Sequence, residues 1–341
     1  MSRIGYNQLS VAEKKAYEQF EKAFINFASS VDSNSIDRNI DVMKVLQVAL
    51  GDNPQVIYFN KTQIRLSDSL FGGKQIHFSG AIPSSQARTM QKQLESALEK
   101  SVEEIELLNP MSNYDKLISI YEYLQDSVTY DSKELEACCR LGYSVNPLSH
   151  NAYGVLINKL GVCDGISSAF SLIAQRMGFE CSTVSGKATF RTQGFSEHAW
   201  NIIEIANTYY HIDATWDINH KEKTGEYSYE YFCVNDDSIN RDHDWDINTT
   251  PICPREDMSF YIRNHCFANN LSQLEEIFER YAKSKQKVVR AKIADGISIP
   301  KPEDRYLGQK LINVASSSGR YAAIKFIWNK NSRCFYAKFE S

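Results

Sequence analysis

Leu160-Gly161-Val162-Cys163-Asp164-Gly165-Ile166-Ser167-Ser168-Ala169-Phe170 is the stretch on which the reading of this chain turns. Apolar residues recur at Ile166, Phe170, Ile173 and Met177, the spacing of one helix face. A buried helix over 164–177, ended at Gly178, follows from it. Cys163 then sits at or just before the first turn. There, unpaired backbone N–H groups and the positive end of the helix dipole favour a thiolate. Small residues at positions 161, 165, 167, 168 and 169 leave room for another chain to approach the sulfur. The plain alternative is a packed cysteine at a helix start. A nearby base decides between the two.

The segment 197–205 reads as one strand and 208–216 as the next, with Ala206-Asn207 as a two-residue turn. Pairing Ile205 with Thr208 sets His198 opposite Thr215 and Trp200 opposite Asp213. His198 and Asp213 become diagonal neighbours on one face, within side-chain reach. Asp213 can hold one imidazole nitrogen and leave the other to face a thiol. A slip of one residue would put the two on opposite faces. The order Cys163, His198, Asp213 suits a cysteine nucleophile with a base and an orienting carboxylate.

The three blocks Gly161-Val162-Cys163-Asp164-Gly165, Ser196-Glu197-His198-Ala199-Trp200-Asn201-Ile202 and Tyr209-Tyr210-His211-Ile212-Asp213-Ala214-Thr215-Trp216-Asp217 resemble the core of the transglutaminase-like superfamily of thiol acyl-transfer enzymes and peptidases. The resemblance covers roughly residues 112–235, including Ala152-Tyr153-Gly154-Val155-Leu156 and Tyr229-Glu230-Tyr231-Phe232. It implies an α+β, papain-like fold with the cysteine on a central helix facing an antiparallel sheet. It also implies Cys163 as nucleophile, His198 as general base and acid, and Asp213 as the group that orients it. The flanking regions resemble those accompanying bacterial members. The implied reaction is acyl transfer on amide bonds of peptides or proteins through a thioester, with the Cys163 N–H as one oxyanion donor. His150 and Tyr153 are candidates for a second donor or a supporting role, against a structural role in their loop. Trp200 and Trp216 read first as core aromatics and second as walls of the site. His211 reads as scaffold beside the hairpin, or as part of that wall. The competing reading, from another class, is a catalytically silent protein that keeps the fold and binds peptides.

Outward from this centre the chain divides into an N-terminal α+β domain (1–110), the core (111–250) and a small C-terminal α/β domain (251–341). The first has an amphipathic helix over 10–29 opened by Ser10 and Glu13, and a helix over 36–50 stopped by Gly51. Strand-like runs follow at 56–59, 63–67 and 74–79, the last two parted by Gly72-Gly73, and then a charged helix over 84–108. In the core, a helix over 114–128 precedes a loop or short helix at 131–150. In the last domain, helices are expected at 271–284 and 303–317, with strands at 286–293, 321–328 and 333–338.

Composition narrows the partners. The 341 residues carry 38 basic and 42 acidic side chains, a net charge of −4, which speaks against nucleic acid or an anionic membrane surface. Apolar runs fall short of the ~18 residues of a membrane span, and the charged first 30 residues do not look like a signal peptide; a cytoplasmic location is the expectation. Nothing in the pattern fixes an oligomeric state. The eight cysteines are irregularly spaced without a CxxC, so neither disulfides nor a metal or other cofactor is expected. The run 242–248 begins like a calcium loop, but Ile247 and Cys253 occupy the positions that need Gly and Glu. It reads as a solvated acidic loop, and Lys283, Lys285, Lys287, Arg290 and Lys292 as solvated surface charge.

Overall fold

The computed structural model describes residues 2–32, 36–37, 39–61, 63–68, 74–189, 196–284, 286–319 and 323–340. The Gly72-Gly73 turn and Lys285 lie outside them. The chain forms two compact units, Met1–Ser228 with His243–Arg255, and Tyr229–Asp242 with Glu256–Ser341.

The first unit opens with α1 (Ile4–Gln8) and α2 (Val11–Ile25), the latter started by the Ser10–Glu13 capping box. After β1 (Ser30–Asp32) comes α3 (Val42–Asp52). It begins six residues later than expected because the Asp41 carboxylate accepts from the Met43 and Lys44 N–H groups. It also runs through Gly51, where a β-carbon would lie 2.2 Å from the Thr183 carbonyl oxygen. That glycine serves close packing and ends nothing. β2 (Ile64–Asp68) and β3 (Lys74–Phe78) complete an antiparallel sheet in the order β1-β3-β2. Residues 56–59 form no strand. They are buried as irregular chain, with Phe59 stacked on Phe78 at 4.4 Å and the Tyr58 hydroxyl donating to the Ala28 carbonyl at 2.9 Å. Helix α4 (Ser84–Glu106) buries Ala87, Leu94, Leu98 and Ile105 and leaves its charged face to solvent.

The elements that carry the site follow: α5 (Asn113–Ser127), β4 (Thr129–Tyr130), α6 (Ser132–Leu141), α7 (Ala152–Asn158), β5 (Leu160–Gly161), α8 (Cys163–Arg176), β6 (Cys181–Ala188), β7 (Ser196–Ile205), β8 (Thr208–Ile212) and α9 (Ala214–Thr224). The β7–β8 register pairs Ile205 with Thr208 and Asn201 with Ile212, as the two-residue turn requires. Ala206 and Asn207 take φ of 50° and 60°, the left-handed values of such a turn. The second strand, however, stops at Ile212. Asp213 caps α9, its Oδ1 accepting the Thr215 N–H at 2.9 Å, so Trp216 is helical.

Helix α8 packs Ile166, Phe170 and Ile173, all fully buried, against its neighbours. The Asn201 amide of β7 donates to the Ser167 carbonyl at 2.9 Å and to Ser171 Oγ at 2.8 Å, pinning sheet to helix. On α5, Tyr121 meets Phe170 edge-on at 6.4 Å.

β9 (Phe232–Val234) and α10 (Asp236–Ile239) belong to the second unit, and β10 (His243–Asp244) returns to the first. There it pairs antiparallel with β6, His243 opposite Ala188, giving the strand order β10-β6-β7-β8. This corrects the expected solvated loop: Asp242 and His243 are buried, because strand pairing draws this stretch inward.

The second unit adds α11 (Phe260–Arg263), β11 (Phe267–Ala268), α12 (Leu271–Lys283), β12 (Val288–Ile293), α13 (Glu303–Ser317), β13 (Ala323–Asn329) and β14 (Cys334–Glu340). Its sheet runs β11-β12-β14-β13, over a core that includes Leu274, Phe278, Val289, Leu307 and Phe335. Lys292 departs from the expected surface charge: it is buried and paired with Glu256 at 2.8 Å. All eight cysteines are free thiols. Among the described residues no helix is long and apolar enough to cross a membrane.

Candidate active site

The hairpin delivers His198 from β7 and Asp213 from the end of β8 to one place, with Nε2 of His198 2.8 Å from Oδ2 of Asp213. Cys163, the first residue of α8 and part-exposed, hydrogen-bonds with the same imidazole. Since Nε2 is committed to Asp213, Nδ1 is the nitrogen that faces the sulfur. Burial alone would push His198 down. The Asp213 charge and hydrogen bond, joined by Cys163, outweigh it and raise the imidazole to about 9. Burial likewise works against the Asp213 carboxylate, yet His198 and His243 hold it well below the usual carboxylate range.

His243 was not singled out in the sequence. Its Nε2 lies 3.2 Å from the Asp213 Oδ2, and its ring is 5.3 Å from that of His198. The signal that could have found it is long-range pairing of a two-residue strand, which carries no readable period. Trp200, fully buried, lies behind the His198 ring at 6.0 Å and donates its Nε1–H to Nδ1 of His211 at 3.0 Å. Trp216 is half-buried beside His198, their ring centroids 5.6 Å apart.

His150 is brought to the residue next to Cys163. Its Nδ1 lies 2.8 Å from Oδ2 of Asp164, and its Nε2 lies 3.0 Å from Oε1 of Glu134. Burial pushes its pKa down, but the two carboxylates raise it overall. Tyr153 points elsewhere, its hydroxyl donating to Gln93 of α4 at 2.8 Å. Gly165 shows why a small residue follows Asp164: a β-carbon there would stand 2.1 Å from the Ser149 carbonyl oxygen. Two further groups escaped the sequence reading. Burial pushes the Tyr130 phenol up, reinforced by Cys163, Asp164 and Asp213. Burial also pushes the Lys61 ammonium down to about 8, against the pull of Asp164. Among the described residues of the first unit, two groups have metal-ligating atoms close together: His198, Asp213 and His243, and Glu134, Cys138 and His150.

No curated protein matches the chain. Among solved structures, it is similar to a transglutaminase at 15% identity, over 45% of this chain and 44% of the other, with a TM-score of 0.33. It is also similar to a proposed cysteine protease from Cytophaga hutchinsonii at 13% identity, over 45% of this chain and 61% of the other, with a TM-score of 0.27. The chain thus spans less than two thirds of the length of either. The family model described as the transglutaminase-like superfamily matches residues 104–214, from the last turn of α4 to the first residue of α9, with Cys163, His198 and Asp213 inside the match. The likeness to the transglutaminase-like superfamily thus lies in residues 104–214 of this chain.

Proposed function

We propose that this protein is a cysteine-dependent enzyme that transfers acyl groups from amide bonds of peptides or proteins. Cys163 is the nucleophile, His198 carries the proton, and Asp213 fixes the ring. The observation that carries this reading is the His198 imidazole, held by buried Asp213 at 2.8 Å on one nitrogen and hydrogen-bonded with Cys163.

The Cys163 proton passes to His198 and the thiolate attacks the amide carbonyl carbon. The carbonyl electrons move onto oxygen, where the backbone N–H of Cys163, opening a helix, donates to the oxyanion. Collapse restores the C=O, breaks the C–N bond, and His198 returns the proton to the departing amine. Water, or a second amine, then attacks the thioester with His198 as base, and the thiol leaves regenerated. With its pKa raised to about 9, the imidazole holds the proton it takes from Cys163 and supplies it as the acid for the leaving amine. Water is the default acceptor, so hydrolysis is the first outcome to measure.

The test is a peptide library incubated with and without a primary amine and read by mass spectrometry. Hydrolysed or amine-exchanged products that vanish in Cys163→Ala support the proposal. Absence of both products, with Cys163 alkylation by iodoacetamide unchanged in His198→Ala, overturns it in favour of a silent peptide-binding protein.

A further inference from the structure

Helix α6 places Glu134 and Cys138 one turn apart on the same face. Gly142 ends the helix in the left-handed region (φ 74°), and the chain folds back so that the Val145 and Asn146 N–H groups donate to Oε2 of Glu134 at 3.2 and 2.7 Å. That return brings His150 over the helix. Oε1 of Glu134 then lies 3.3 Å from Sγ of Cys138 and 3.0 Å from Nε2 of His150, and the sulfur lies 3.9 Å from that nitrogen.

We propose that Oε1 of Glu134, Sγ of Cys138 and Nε2 of His150 form a binding site for a zinc-type transition metal. The three edges define a triangle whose corners stand roughly 2 Å from its centre, close to the about 2.0–2.3 Å of zinc bonds to oxygen, nitrogen and sulfur. An ion just off that plane meets all three ligands with little movement. The surroundings are those of a ligated histidine. Nδ1 of His150 is held by the Asp164 carboxylate at 2.8 Å, the outer carboxylate that fixes the ring tautomer and raises ligand basicity. Glu134 is fixed through its other oxygen by two backbone donors. The mixed sulfur, nitrogen and oxygen set suits zinc and excludes calcium or magnesium, which take oxygen ligands. Cys138 is part-exposed, which leaves the fourth position to water. Binding displaces the Cys138 thiol proton to solvent and takes an unprotonated Nε2 on His150. The spacing, Glu, three residues, Cys, eleven residues, His, lacks a CxxC, so the sequence did not announce it.

The site is independent of the acyl-transfer reading, and its test does not measure turnover. The full chain carrying Cys163→Ala, which removes the part-exposed thiol beside His198, is titrated with Co²⁺ and then with Zn²⁺. We expect one cobalt per chain, a thiolate-to-cobalt band in the near ultraviolet, and its loss when zinc is added. Cys138→Ser abolishes the band and Cys139→Ser keeps it. Asp164→Asn weakens metal affinity by roughly 10–100-fold while keeping the band. Thermal melts confirm that each variant is folded. No thiolate band in the Cys163→Ala chain, or a band that survives Cys138→Ser, overturns the proposal.

Discussion

His243 Nε2 lies 3.2 Å from Oδ2 of Asp213, the same oxygen that faces Nε2 of His198 at 2.8 Å. One buried carboxylate oxygen therefore serves two imidazoles, while Oδ1 accepts the Thr215 N–H at 2.9 Å. An ionised carboxylate with no exposure is tolerated only when it is paired and hydrogen-bonded in this way. The helix cap fixes one oxygen and the histidines fix the other, so the carboxylate has no freedom to turn.

Asp213→Asn keeps the shape and removes the charge. The amide no longer selects the tautomer that presents Nδ1 to the sulfur. Iodoacetamide alkylation of Cys163 at neutral pH should slow markedly, and acyl-transfer turnover should fall roughly ten-thousandfold, the scale seen when such a carboxylate is lost. Wild-type alkylation rates in this variant would remove Asp213 from the proposed mechanism.

His243→Phe keeps a ring between Trp200 (4.9 Å) and Trp216 (4.6 Å) but removes the nitrogen that meets Asp213. The lost hydrogen bond to a charged group should cost about 1.5–3 kcal/mol in urea unfolding. Alkylation of Cys163 should slow less than in Asp213→Asn, because His198 still holds the carboxylate. Equal stability of variant and wild type would refute the pairing.

Stability should depend on pH through the His198–Asp213 pair. The His198 pKa is raised to about 9 in the folded chain, so its contribution is complete below the unfolded value near ~6.5 and is lost as pH rises through about 9. The Asp213 pKa is depressed, so its contribution is present above the unfolded value near ~3.9 and is lost as pH falls through the depressed one. The alkaline loss should be on the order of 3 kcal/mol. It is read as the fall in unfolding free energy between about pH 6 and about pH 9.5, and it should be much smaller in His198→Gln.

Gly165→Ala should destabilise the turn that carries the nucleophile. The new methyl would meet the Ser149 carbonyl oxygen at 2.1 Å, a backbone atom that cannot swing aside. A loss of about 1–3 kcal/mol in chemical denaturation, with slower Cys163 alkylation, is expected. An alanine variant as stable and as reactive as wild type would show that the close approach is not required.

The legible parts of the site were those set by short-range rules. The helix stripe Ile166, Phe170, Ile173 placed Cys163 at a helix start, where the structure has it. The turn at Ala206-Asn207 set the β7–β8 pairing by arithmetic. The same reading carried the strand on to 216, since alternation near a strand end and a capping aspartate look alike until the chain turns. Residues 56–59 show the converse: an apolar run announces burial, and whether a neighbouring strand is there to pair with it is a separate matter.

Sequence alone determined that a cysteine opens a buried helix and that a histidine and an aspartate share one end of a hairpin, because periodicity and turn length act over a few residues. Only the tertiary structure decided that His243 joins Asp213, thirty positions away, and that Glu134, Cys138 and His150 converge beside Asp164. Those contacts come from a two-residue strand docking on β6 and from a chain reversal after α6. Such long-range closures are chosen by how whole elements pack, and no local pattern encodes them.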